Sequence, residues 1–216
     1  MAGYELDEAY EIKGPADAKA RYDTWAETYD TGFAEAWGYV APREIAGILA
    51  GLAGDAGLGG PVLDIGAGTG LVGAALAAAL GPDRASEIDA IDISPEMLAR
   101  AAAKGIYRQR IEADLTLPLA LPDAAYAGLI SSGTFTHGHV GPEALPELLR
   151  VARPGALFVL GTIPPVFDGA GLGSALGRLV AAGEIGPLDF REIPIYEGAD
   201  HPHADDRGLV MVFRRR

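Results

Sequence analysis

The stretch "PVLDIGAGTGLVGAALAAAL" (61–80) leaves the chain around it little freedom. "VLDI" is short and apolar, and it reads as a strand buried on both faces. Gly66, Gly68 and Gly70 follow at alternate positions, where backbone with φ above zero is accessible at no Cβ cost. The alanine-rich "LVGAALAAAL" behind them has high helix propensity. A buried strand, a bare turn and a helix open a βα unit, and such units stack into a parallel sheet covered by helices on both sides. Ligands of these sheets bind beyond the carboxyl ends of the strands, where the strand order reverses.

The rest of the chain repeats the pattern. "EIDAIDI" reads as a strand and "SPEMLARAAAKG" as a helix, with Ser94 as cap, Pro95 at the first position and Gly105 as stop. "IYRQRIEAD" and "AAYAGLISS" are further strands, and "PELLRVARPG" is a helix that Pro154 and Gly155 should end. "ALFVLGTI" follows as a strand, then a helical stretch near 170–182. "REIPIYE" and "GLVMVFRRR" have no helix between them and should pair antiparallel. Upstream, Pro15 and Pro42 each open a helix. At ~100° per residue, Tyr22, Trp25 and Tyr29 share one face of the first. The expectation is an α/β fold with a doubly wound, mostly parallel seven-stranded sheet. It forms a single domain over 1–216, with a helical cap at 1–55 and a Rossmann-like core at 61–216.

Composition narrows the function. With 30 acidic residues against 17 Lys and Arg, the net charge is −13, which disfavours a phosphate backbone as partner. Cysteine is absent, so disulfides and thiolate chemistry are excluded. No apolar run is long enough to span a membrane, and "MAGYELDEAYEIKG" is acidic where a secretory signal is basic. A cytoplasmic protein acting on a small molecule, not on nucleic acid or at a membrane, is expected; no feature sets an oligomeric state.

Two cofactors compete for the glycine turn. "GTGLVG" (Gly68, Gly70, Gly73) matches the dinucleotide fingerprint by letter, but that fingerprint should begin where the strand stops, at Gly66. From Gly66, the third glycine position is Leu71. "VLDIGAGTG", Asp92 in "AIDISPEML" and Asp114 in "IEADL" together resemble the cofactor motifs of class I S-adenosylmethionine-dependent methyltransferases. The resemblance implies that Gly66, Ala67, Gly68, Thr69 and Gly70 line the methionine part of the cofactor. It further implies that Asp92 accepts from both ribose hydroxyls, that Ile93 and Met97 pack on the adenine, and that Asp114 and Leu115 bind its edge. The run "YDTWAETYD" is similar to the helix that closes over the cofactor in many small-molecule members, with Tyr22, Trp25 and Tyr29 facing it. Together with "GYVAP" and "SSGTFTHGHV", it looks closest to the methyltransferase-like proteins named after the Williams–Beuren syndrome chromosome region. An NAD(P)-linked oxidoreductase and a non-catalytic S-adenosylmethionine-binding protein remain the alternatives.

By the same resemblance, Ser131 and Ser132 lie nearest the cofactor, and Thr134, Phe135 and His137 nearest the acceptor. Methyl transfer depends mainly on alignment, so a base matters only for an acceptor that must lose a proton. His137 is the candidate base, because an imidazole titrates near neutrality. His137/His139 and His201/His203 could in principle hold a metal, but glycine and proline between them indicate loops, and none is expected. Phe167, in the segment 164–187, is expected to wall an apolar acceptor pocket. The Asn- or Asp-Pro-Pro-aromatic run of nucleic-acid amino methyltransferases is missing after the fourth strand, where the chain reads "SSGT".

Overall fold

A computed structural model describes residues 12–54, 57–81, 87–136, 138–198 and 201–216. Helix α1 (Pro15–Trp25) leads through a π-helical turn (Tyr29–Glu35) to α2 (Ala41–Ala53). The alternating part follows: β1 (Val62–Ile65), α3 (Leu71–Leu80), β2 (Ile88–Asp92), α4 (Pro95–Ala103), β3 (Gln109–Glu112) and β4 (Tyr126–Phe135). After α5 (Leu145–Val151) come β5 (Ala152–Thr162), α6 (Pro164–Gly169), α7 (Leu172–Ala182), β6 (Asp189–Pro194) and β7 (Arg207–Arg214).

The seven strands form one sheet in the order β3-β2-β1-β4-β5-β7-β6. β7 runs antiparallel to both β5 and β6, and the other pairings are parallel. The order reverses between β1 and β4, which places the crevice for a ligand beyond Ile65 and at the far end of β4.

Side-chain alternation sorts the core onto two faces. Leu63, Ile65, Leu129, Phe158 and Leu160 join the cluster that contains α5 and α7, with Leu148 and Leu176. Val62, Ile130, Leu157 and Val159 join the other, under α2 and α3, with Leu49 and Leu76. Phe158 and Phe213 are direct partners across β5 and β7 and stack at 4.6 Å, a cross-strand pair that favours this register.

Two boundaries depart from the sequence expectation. α5 stops at Val151, and Arg153, Pro154 and Gly155 already belong to β5. The β4–β5 register shifts between Tyr126 and Gly128, and such an irregularity is where a strand tolerates proline. The first helix ends at Trp25 rather than running on through Tyr29. No described helix is long and apolar enough to cross a membrane.

Candidate active site

β1 delivers the glycine turn to the crevice. Gly66, Gly68 and Gly70 have φ of 62°, 54° and 88°, the left-handed backbone that glycine adopts without strain. Each glycine has its own reason. A Cβ on Gly66 would collide with Thr134, whose hydroxyl donates to Ile65 O at 2.8 Å and ties β1 to the end of β4. A Cβ on Gly70 would come within 2.9 Å of the Tyr107 ring. A Cβ on Gly68 meets nothing within 4 Å, so the backbone there borders open space. Gly73, third in the dinucleotide-like reading, is occupied differently: it lets the Tyr107 hydroxyl pass to Asp64, to which that hydroxyl donates at 2.6 Å.

Asp92 ends β2 beside this turn. Its carboxylate accepts from the Gly68 N–H at 2.8 Å and the Ser94 N–H at 2.9 Å, one oxygen each. A carboxylate has about four acceptor positions, so both oxygens can still receive a hydroxyl. Burial pushes its pKa up, and the backbone donors at Ser94, Gly68 and Ile93 oppose that shift. Ser94 also caps α4, accepting from Met97 N–H at 3.1 Å.

The cap is fastened to the same two loops. The Ser94 hydroxyl donates to Asp23 at 2.6 Å, and Lys19 donates to Ile93 O at 3.1 Å. The Thr69 hydroxyl donates to Asp30 at 2.5 Å, and Lys104 donates to Asp30 at 2.6 Å and to Thr69 O at 2.7 Å. The two aspartates of "YDTWAETYD" therefore clasp the nucleoside loop and the glycine turn, while Tyr22, Trp25 and Tyr29 line the cavity between. Tyr22 and Tyr29 have pKa values raised by burial and stay protonated at neutral pH.

One cavity joins these parts. Gly66, Ala67, Gly68, Thr69, Asp92, Ile93, Met97, Asp114, Leu115, Ser132, Thr134 and Phe135 line it. Asp114 also accepts from Thr116, through the backbone N–H at 2.8 Å and the hydroxyl at 2.7 Å. Gly70 is not on the wall but behind it, against Tyr107. Ser131 is fully buried in β4 and does not line the cavity, and its Oγ has no hydrogen-bond partner.

Phe167 departs further from expectation. It packs edge-on against Phe190 at 5.4 Å, and no residue of 164–187 reaches the cavity. The far wall comes instead from the cap and from the end of β6. Val40 N–H donates to Ile195 O at 2.9 Å, Tyr39 bridges Tyr196, and Ile193, Ile195 and Tyr196 face Tyr29, Phe33 and Tyr39. His137 lies outside the described residues, whereas His139 lines the cavity with Nε2 2.8 Å from the Tyr22 hydroxyl. His203 pairs with Asp206 at 2.9 Å, and His201 packs on Trp37 at 4.7 Å. No cluster suited to a metal occurs among the described residues.

The cradle fits a nucleoside carrying an amino-acid tail. A buried carboxylate has room for two hydroxyls, bare backbone at Gly68 faces open space, and the N-terminus of α3 can hold an anion. Residues 62–155 match the family described as "Methyltransferase domain". No curated protein matches the sequence. Among solved structures, a TehB-like S-adenosylmethionine-dependent methyltransferase from Corynebacterium glutamicum is 19% identical with a TM-score of 0.61, over 91% of this chain and 99% of that one. An S-adenosylmethionine-dependent methyltransferase from Aquifex aeolicus is 20% identical with a TM-score of 0.60, over 89% and 98%. The [4+2]-cyclase SpnF is 18% identical with a TM-score of 0.62, over 94% and 97%. These likenesses establish the Rossmann-like methyltransferase fold.

Proposed function

We propose that this methyltransferase, whose methyl donor is S-adenosylmethionine, transfers the methyl group to a small organic acceptor. The observation that carries the reading is Asp92: a buried carboxylate held by Gly68 and Ser94 N–H groups, with acceptor capacity left toward the cavity. Tyr22, Trp25 and Tyr29 would cover the donor, and Ile93, Met97, Asp114 and Leu115 would take its adenine. Bound there, the donor supplies an electrophilic methyl group that needs alignment more than activation. The acceptor would enter from the wall formed by Phe33, Tyr39 and Tyr196. Enclosure by the cap favours a small molecule over a macromolecule, and the net charge of −13 argues against nucleic acid.

We also propose a single domain, residues 1–55 serving as the cap and 61–216 as the core. Tyr22, Asp23, Trp25, Ala26, Tyr29 and Asp30 support a place beside the Williams–Beuren methyltransferase-like proteins. A cysteine-free composition accords with a cytoplasmic setting.

The test is calorimetry with S-adenosylmethionine, S-adenosylhomocysteine and NAD(P)H, followed by mass spectrometry across an acceptor panel. Saturable binding of the first two and a mass gain of one methylene unit on an acceptor are expected. Binding of NAD(P)H alone would overturn the assignment.

A further inference from the structure

The half of the cavity opposite Asp92 is built from rings. Tyr29 lies 5.0 Å from Phe33, Phe33 lies 5.3 Å from Tyr39, and Tyr39 lies 5.8 Å from Tyr196, centroid to centroid. Ile193 and Ile195 complete that wall. Among the described lining residues there is no lysine, arginine or glutamate, and both aspartates, Asp92 and Asp114, stand on the cradle side. A carboxylate entering here would give up its water with no lysine or arginine on the wall to meet it, a loss that the single charge of the methyl donor offsets only in part. An ammonium would gain less from the rings than it loses in desolvation, and would face the positive charge of the methyl donor. A neutral planar molecule incurs neither cost.

Proton acceptors along the cavity are few. Tyr39 Oη and Ser132 Oγ hydrogen-bond to each other at 2.9 Å, and neither is basic. Tyr22 Oη lies 2.8 Å from His139 Nε2, and the two rings are 5.6 Å apart. A phenol that donates to an imidazole keeps oxygen lone pairs for an incoming hydroxyl.

We infer that the acceptor is an uncharged aromatic alcohol seated on the ring row, and that Tyr22, backed by His139, takes its hydroxyl proton. The inference rests on the reading proposed above and gives it a substrate class. The acceptor oxygen forms a bond to the methyl carbon as the carbon–sulfur bond breaks, its electron pair passing to sulfur. The products are a methyl ether and the thioether S-adenosylhomocysteine. The hydroxyl proton moves to Tyr22 Oη while the tyrosine proton moves to His139 Nε2, and the imidazolium returns it to water. His139 must therefore present Nε2 unprotonated before the step.

The experiment loads the protein with S-adenosylhomocysteine and titrates naphthol, naphthoate and naphthylmethylamine by calorimetry. Turnover of naphthol with S-adenosylmethionine is then measured for wild type, Tyr22→Phe and His139→Gln. We expect naphthol to bind at least ~10-fold tighter than either charged analogue and to yield its methyl ether. Each variant should lose about 100-fold in kcat, with the affinities for naphthol and S-adenosylhomocysteine changed by less than ~3-fold. Equal or stronger binding of a charged analogue, absence of the methyl ether, or kcat falling only in step with affinity overturns the inference. Failure of wild type to bind S-adenosylhomocysteine instead removes the underlying reading.

Discussion

Replacing Asp64 by asparagine should make the protein more stable at alkaline pH than at acid pH, relative to wild type. Asp64 is fully buried in β1; one oxygen accepts from Tyr107 at 2.6 Å and the other has no hydrogen-bond partner. Burial pushes its pKa up to about 7, the Asp92 charge adds to this, and the bond from Tyr107 opposes it. In the unfolded chain the same group titrates near ~3.9. Below ~3.9 both states hold the proton, and stability is fully present. Between ~3.9 and ~7 the unfolded chain has released it while the native state retains it, so stability falls as pH rises. Above ~7 both are ionised and the loss is complete, on the order of 4 kcal/mol. Asparagine cannot ionise and keeps an oxygen for Tyr107, so its variant escapes the loss. Urea unfolding of both proteins at about pH 5 and about pH 8.5 isolates the effect, because other titrations cancel in the difference. The stability of the variant minus that of wild type should grow by about 3 kcal/mol between the two pH values. A difference constant to within ~0.5 kcal/mol would show that Asp64 ionises normally and that its burial is not what governs it.

Three further outcomes follow from the site. Asp92→Asn should weaken S-adenosylhomocysteine by about 10- to 100-fold in calorimetry, since a charge-assisted bond to one ribose hydroxyl, ~1.5–3 kcal/mol, is lost. Gly68→Ala should cost only ~1–2 kcal/mol of stability, from its φ of 54°, yet remove ligand binding, whereas Gly66→Ala should fail to fold because its Cβ strikes Thr134. Thermal melts with and without ligand separate the two. Asp30→Asn should loosen the cap from Lys104 and Thr69, read as faster proteolysis within residues 15–37 and a ~3- to 5-fold loss of ligand affinity.

The sequence reported the cradle because its signals are local. Gly66, Gly68, Ser94 and Pro95 each act within a few residues of themselves, on a turn or on a helix start, and each stands where that reasoning put it. The acceptor wall has no local signal. Tyr39 meets Tyr196 because the cap folds back onto the end of β6, a contact across most of the chain's length that no periodicity announces. Phe167 misled for the same reason: an aromatic after a strand looked available, and Phe190 had already claimed it. The break in the first helix at Trp25 is also tertiary, since Asp23 and Asp30 answer to Ser94 and Thr69 on different loops. His139, two positions after the candidate His137, has no local mark in the sequence; its meeting with Tyr22, far away along the chain, is what distinguishes it.

Asp92 and Tyr196 line the same uninterrupted cavity. A hybrid inhibitor, adenosine joined by a short tether to a naphthyl group, could therefore occupy both ends without crossing a barrier. Once one end has docked, the other experiences a local concentration in the millimolar range, so the hybrid should outbind either fragment by ~100-fold or more. The tether that gives the strongest hybrid would then act as a ruler, reporting how far the acceptor sits from the sugar.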